Sequence, residues 1–311
     1  MKQMDRMPRA IRKCKSLRPF TGCGLLRVLM ATVLLWFFSA IPAPAAMLQG
    51  AHVLELMVRA LSGADTLRVE QLVVFDEPDA GEAASRSLNE TLFYAFPGRL
   101  RSETPYRQSL RIRITRDDRH TTLVDGRPVA RKIALDERYG ELFLFRSRQD
   151  LHRMLLADGV DVENTSLGLA DERIVYVLGA RYPDPSVPQV WIDRERLLPL
   201  RWVRIHGDDP TRRVTFHYRQ WRQQDGQWYP AQIAVYQGLR LVRRIDVRKV
   251  ETDVALPEHW FDPESLIASP PVPTAPSAPE AATTPDDLSA EEDLVRQLIQ
   301  EALQGQMTEE E

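Results

Sequence analysis

Between residues 67 and 250 the chain repeats one pattern. Short runs with an apolar residue at every second position are separated by turn residues. Leu67, Val69, Val73 and Phe75 follow it, then Leu92, Tyr94 and Phe96, with Leu100 opening the next run. Leu110, Ile112 and Ile114 alternate with Arg111 and Arg113. Later runs are Ile174, Tyr176 and Leu178; Val190 and Ile192; Leu200 and Trp202; Val214, Phe216 and Tyr218; Ile233 and Val235; Leu241, Ile245 and Val247. A period of two marks a half-buried strand. Pro97-Gly98, Asp125-Gly126, Asp225-Gly226 and Gln237-Gly238 mark turns between the runs. Connections this short join antiparallel neighbours, because a parallel crossover needs a dozen residues or more. The pattern predicts a mainly β (α+β) chain. It has one long antiparallel sheet, apolar on one face and rich in solvated arginine on the other.

Two helices interrupt the pattern. Leu48, Ala51, Leu54, Met57, Val58 and Leu61 recur at helical spacing over 48–61, with Gly63 placed to cap the end. Leu151, Met154 and Leu155 form a second stripe over 148–157. Ser147 stands at its N-cap, Asp150 at the capping-box position, and Gly159 closes it.

The two ends differ from this body. Residues 1–46 carry eight Lys and Arg against one Asp, then an uncharged apolar run from Val28 to Ile41, then Ala43-Pro44-Ala45-Ala46. A basic start, a short apolar run and a small-residue end predict a signal peptide cleaved after about Ala45 or Ala46. The run is shorter than the roughly 20 residues of a spanning helix, so no membrane span is expected after cleavage. Both cysteines, Cys14 and Cys23, lie in this leader. Cys23 precedes the apolar run, so it does not mark a lipid-anchor site. The mature chain then has no disulfide, thiol nucleophile or cysteine metal site, and is expected in the periplasm. From residue 266 to 288, Pro270, Pro271, Pro273, Pro276, Pro279 and Pro285 sit among Ala, Ser and Thr, which reads as a linker. An acidic amphipathic helix is expected within 289–311. Ser289 and Glu292 form a capping box, and Leu294, Leu298, Ile299 and Leu303 form an apolar stripe. It docks on the body, self-associates weakly, or binds an envelope protein partner. The domains expected are therefore 1–46, 47–265, 266–288 and 289–311.

The leader is +7, the segment 264–311 is −10, and the body between them is neutral. A nucleic-acid surface needs a basic domain, so nucleic acid is not an expected partner. Enzyme motifs are missing as well. The six histidines form no H-E-x-x-H, there is no G-x-S-x-G, and the glycines are scattered at turns. His217 reads as a surface residue beside Arg219. His206-Gly207-Asp208-Asp209 and Asp117-Asp118-Arg119-His120 read as polar loops. Trp191, Trp202, Tyr218, Trp221, Trp228, Tyr229 and Trp260 form either a ligand belt or ordinary sheet packing. No catalysis, metal or cofactor is expected.

Three local patterns, in order, resemble the periplasmic lipoprotein carrier and receptor superfamily, the LolA/LolB-like proteins. Tyr94-Ala95-Phe96-Pro97-Gly98-Arg99-Leu100-Arg101 is similar to its early strand–turn–strand. Val190-Trp191-Ile192-Asp193 followed by Leu198-Pro199-Leu200-Arg201 is similar to a later hairpin. Tyr229-Pro230, Asp246–Val250, Leu256-Pro257 and Trp260-Phe261-Asp262-Pro263 are similar to its closing strands. The resemblance spans about 47–263. It implies an unclosed antiparallel β-barrel with helices over its concave face, and an apolar cavity for the acyl chains of a lipid or lipoprotein bound for the outer membrane. In that superfamily an Arg commonly precedes the first X-Pro turn and latches the lid; here the position is Phe96. The tail found here is foreign to those carriers.

An unclosed sheet cannot bury its inner face on itself, so that face needs a lid or an apolar ligand. The alternation nominates Leu92, Tyr94, Leu100, Val190, Ile192, Trp202, Phe216, Val235 and Ile245 as the cavity wall. Two functions fit. One is a carrier of lipid or acylated lipoprotein. The other is a non-catalytic regulatory or scaffold protein acting through protein contacts and its C-terminal helix.

Overall fold

The computed structural model describes residues 48–76, 86–116, 119–130, 133–205 and 213–268. The leader with its cysteines, the 77–85 stretch, His206–Pro210 and the tail with Leu294, Leu298, Ile299 and Leu303 lie outside them.

Among the described residues thirteen strands form one antiparallel sheet: β1 Thr66–Phe75, β2 Arg86–Ala95, β3 Arg99–Tyr106, β4 Ser109–Arg116, β5 Arg119–Val124, β6 Arg127–Val129, β7 Thr165–Ala170, β8 Arg173–Leu178, β9 Gln189–Asp193, β10 Pro199–Ile205, β11 Arg213–Gln224, β12 Gln227–Gln237 and β13 Arg240–Thr252. The spatial order is β6-β5-β4-β3-β2-β1-β13-β12-β11-β10-β9-β8-β7, so two meanders join where β1 pairs with β13. Among the described residues the sheet does not close, and β6 and β7 are its free edges. Helix α1 (Gly50–Leu61), helix α2 (Arg148–Ala157) and two 3-10 turns at Leu135–Glu137 and Glu141–Phe143 cover one face, here the inner face. A 3-10 turn at Glu258–Phe261 and helix α3 (Pro263–Ala268) pack on the outer face. No helix among the described residues is long and apolar enough to cross a membrane.

The local signals operate as chemistry dictates. Ser147 Oγ accepts from the N–H groups of Gln149 and Asp150, and Gly159 (φ 81°) ends α2. Asp125-Gly126 and Asp225-Gly226 adopt paired positive φ angles, as tight hairpin turns require. Gly63 departs from expectation. Ser62 takes the cap position, while a Cβ on Gly63 would fall 2.4 Å from the Gly226 carbonyl oxygen. Gly63 is needed for close approach of α1 to the β11–β12 turn rather than for a left-handed cap.

The arginine expectation is corrected. On β4, Arg113 pairs with Ser102 and points to the inner face, while Leu110, Ile112 and Ile114 point outward. Those three cluster with Leu123 and with Leu266 of α3. Phe93 and Ala95 form another outer cluster with Phe261. Both faces of this half of the sheet are therefore covered, and Arg101, Arg113 and Arg204 are buried rather than solvated. Alternation says which residues share a face; it does not say which face is inside. Leu266, at the expected start of the linker, is a buried residue of the body.

Candidate functional site

The inner face has two halves of opposite chemistry. Over β8–β13 it is apolar. Tyr176, Leu178, Val190, Ile192, Trp202, Phe216, Ile233, Val235 and Ile245 pack with Val53, Leu54, Met57 and Leu61 of α1 and with Leu151 and Leu155 of α2. All nine residues nominated from the sequence belong to this one cluster, contributed by seven strands, and each is at most 9% exposed. They are packed against the covering elements. The seven aromatics divide: Trp202, Tyr218 and Tyr229 are in the inner cluster, Trp221 and Trp228 pack at its margin, and Trp191 and Trp260 join outer clusters. They do not form one belt. His217 is half-buried against Tyr236, not a surface residue. Burial, with Arg201 and Arg219 nearby, lowers its pKa to about 4.

Over β1–β5 the inner face carries a buried polar network beside Leu67, Val69, Leu92, Tyr94 and Leu100 of the same apolar cluster. The Glu90 carboxylate is its centre. Arg113 Nη2 donates to Glu90 Oε1 (2.8 Å), Gln71 Nε2 donates to Oε2 (2.8 Å), and Ser102 and Tyr139 hydroxyls also donate to it. Burial pushes the Glu90 pKa up, but Arg113, the Ser102 and Tyr139 hydrogen bonds and Arg111 outweigh it, so the group titrates below its ordinary value. Arg113 Nη1 reaches on to Glu137 Oε2 (2.9 Å), and Arg111 and Arg243 lie 3.6 and 3.5 Å from Glu137 Oε1.

The two halves meet under residues 135–146, a segment that the alternation did not single out. Glu137 and Tyr139 reach into the polar network just described. Tyr218 Oη donates to the Tyr139 carbonyl (3.0 Å). Gly140 lies on Tyr94, where a Cβ would stand 2.6 Å from the hydroxyl oxygen. Glu141 pairs with Arg138 (2.6 Å) and approaches Arg204 (3.5 Å), which holds Asp158 at 2.5 Å. Leu142, Phe143 and Leu144 enter the apolar cluster, with the Phe143 ring 5.1 Å from Tyr218 and 5.5 Å from Tyr229. The end of the segment is fastened to the first X-Pro turn. Gly98 N–H donates to the Leu144 carbonyl (2.9 Å), and the Arg146 guanidinium lies 3.3 Å over the Phe96 ring. The cation here is on the covering segment and the aromatic on the turn. Burial lowers the Arg146 pKa to about 10.

Two openings accompany this site. A void of about 20 Å³ lies between Ser102, Arg113, Glu137, Gly140 and Glu141. A cleft of about 400 Å³ opens where β12 and β13, paired from Gln232–Asp246 to Gln237–Arg240, diverge. Arg222, Tyr229, Pro230, Val247, Lys249 and Val250 are among its lining, and none of the nine nominated residues is. Pro230 is the sequence trace of that divergence, since proline is tolerated in a sheet where a strand is locally an edge. Among the described residues no group of His, Cys, Asp and Glu has metal-binding geometry.

No family model matches the chain, and no curated protein does. Solved structures do. A LolA superfamily protein from Nitrosomonas europaea is similar with a TM-score of 0.48 and 15% identity, over 69% of this chain and 98% of that one. A putative outer membrane lipoprotein-sorting protein domain from Vibrio parahaemolyticus gives 0.47 and 12%, over 70% and 98%. The MucA/MucB complex of Pseudomonas aeruginosa gives 0.24 and 14%, over 69% of this chain and 60% of that one. Of these three, the Nitrosomonas europaea protein is the one described by the superfamily name that the sequence resembles.

Proposed function

We propose that this chain is a non-catalytic periplasmic carrier that holds acyl chains of a lipid or lipoprotein against its apolar inner half, and that α1, α2 and residues 135–146 cover that half in the closed state. One observation carries the reading. A single apolar cluster from nine strands is covered by short separate elements instead of a second sheet. Leu142, Phe143 and Leu144 occupy apolar surface that an acyl chain also satisfies. Each CH₂ buried is worth about 0.8 kcal/mol, but the entering chain displaces side chains already buried there. Net affinity is then a difference, as a carrier that must release its cargo requires. The polar half gives the segment a fixed seat through Glu137, Tyr139 and Glu141.

The test is mass spectrometry of lipid extracted from gently purified protein, with titration of a fluorescent fatty-acyl probe. Co-purified lipid and saturable probe binding are expected. Ile192→Asp should weaken binding far more than Arg219→Gln, and Phe143→Ala should strengthen it by emptying the seat. Protein free of lipid and indifferent to the probe sinks the carrier reading. The alternative, a regulatory or scaffold protein, draws support from the uncovered edge of β7 described next.

A further inference from the structure

The two free edges of the sheet are built differently. Edge strand β6 is three residues long and contains Arg127 and Pro128, both of which discourage further pairing. Edge strand β7 is six residues, Thr-Ser-Leu-Gly-Leu-Ala, with no charge and no proline. Asp171 (φ 46°) and Glu172 (φ 64°) make a two-residue turn into β8, so Ala170 and Arg173 are the closing pair. In such a hairpin the closing pair exchanges both backbone bonds. The N–H and C=O groups of Leu169, Leu167 and Thr165 then point away from β8. The Leu169 carbonyl has a long contact from Tyr182 Oη at 3.4 Å. Leu167 and Leu169 are 44% and 55% exposed, and Ile174, the cross-strand neighbour of Leu169, is 48% exposed. Leu167 pairs with Tyr176 of the inner cluster, so this stripe continues the apolar inner face to its rim.

Charge names the occupant. Exposed Asp161 and Glu163 precede β7, and exposed Asp171 and Glu172 follow it. The nearby cations are Arg173, 3.5 Å from Asp193, exposed Arg181, and Arg201, whose charge interacts with Asp171. A second copy pairing antiparallel would set acid against acid at both ends. We propose that the edge of β7 is a docking site for an extended partner segment with alternating apolar residues and Lys or Arg at its ends. Backbone ladder bonds supply affinity, alternate apolar side chains extend the leucine stripe, and the acidic ends select the flanks. This site is independent of the carrier reading.

The probe is a synthetic peptide, Lys-Lys-Thr-Val-Ser-Val-Thr-Lys-Lys, added to the full chain and followed by amide NMR and hydrogen exchange. New protection at the Leu167 and Leu169 amides is expected, with binding that weakens as salt rises. Replacing the peptide lysines by glutamates should cost at least about tenfold in affinity. Leu167→Pro removes an outward N–H and should abolish binding while the sheet stays folded. Asp171→Asn with Glu172→Gly keeps a turn suited to positive φ and should weaken binding several-fold. Equal binding of the acidic peptide, or perturbation elsewhere than β7, overturns the proposal. So does protection of these amides in the full chain alone, which would assign the edge to a second copy or to the chain itself.

Discussion

The two halves of the inner face solve one problem in different ways. Over β8–β13, Trp202, Phe216, Val235 and their neighbours are buried against α1 and α2 with no need for direction. Over β1–β5, Glu90, Arg113, Gln71 and Ser102 are equally buried, but each must find a partner of the right geometry. The hydrophobic effect is proportional to area and tolerates sliding. A buried ion pair repays its desolvation only when the geometry is kept. The apolar half is therefore suited to exchange one apolar occupant for another. The polar half is suited to fix residues 135–146 in one position.

The largest effects set the halves directly against each other. Arg113→Met leaves the Glu90 and Glu137 carboxylates without the guanidinium that lies between them. It should cost about 3–5 kcal/mol in urea unfolding. Phe216→Ala should cost a similar amount, about 3–5 kcal/mol, through the cavity it leaves. The pH dependence separates them. The Arg113→Met loss should shrink in acid as the carboxylates protonate, whereas the Phe216→Ala loss should not. Identical pH profiles would erase the distinction between the halves.

Wild-type stability should fall in two acid windows. The unfolded His217 protonates near 6.5 while the folded side chain resists until about 4. The unfolded state then binds more protons in that window, and stability declines as pH drops through it. The Glu90 contribution is fully present above the ordinary value of 4.5 and is lost as pH falls below it through the depressed folded value. His217→Gln should flatten the upper window and leave the lower one, read by denaturation at a series of pH values.

Smaller effects sharpen the seam. Ser147→Ala removes the α2 cap and should cost about 1 kcal/mol. Arg146→Gln removes the cation over Phe96, worth about 0.5–2 kcal/mol, and should raise acyl-probe uptake. Arg219→Gln, on an exposed position, should stay within about 0.5 kcal/mol. A large effect there would reverse the assignment of inside and outside on β11.

Legibility followed the range of the physics. Period-two runs, Asp-Gly turns and the Ser147 cap are decided within a few residues, and the strands and α2 lie where those signals put them. The nine nominated residues came together because alternation records which side chains share a face. Residues 135–146 left a weaker trace. Asp136, Glu137, Glu141 and Leu142–Phe145 mix acid and apolar residues without a period, so no element was expected. Their role depends on Arg111, Arg113, Arg204 and Arg243, which arrive from three strands far apart in sequence. The same long range hid the inward turn of Arg113.

By itself the sequence determined an antiparallel, mainly β chain, its turns, its principal helices and a set of apolar residues on common faces, because local backbone preference and side-chain period suffice for these. Only the tertiary structure decided which side of β4 is inside, what covers the apolar face, and which sheet edge is left open. Those depend on the packing of α1, α2, α3 and residues 135–146 against strands that no local pattern connects to them.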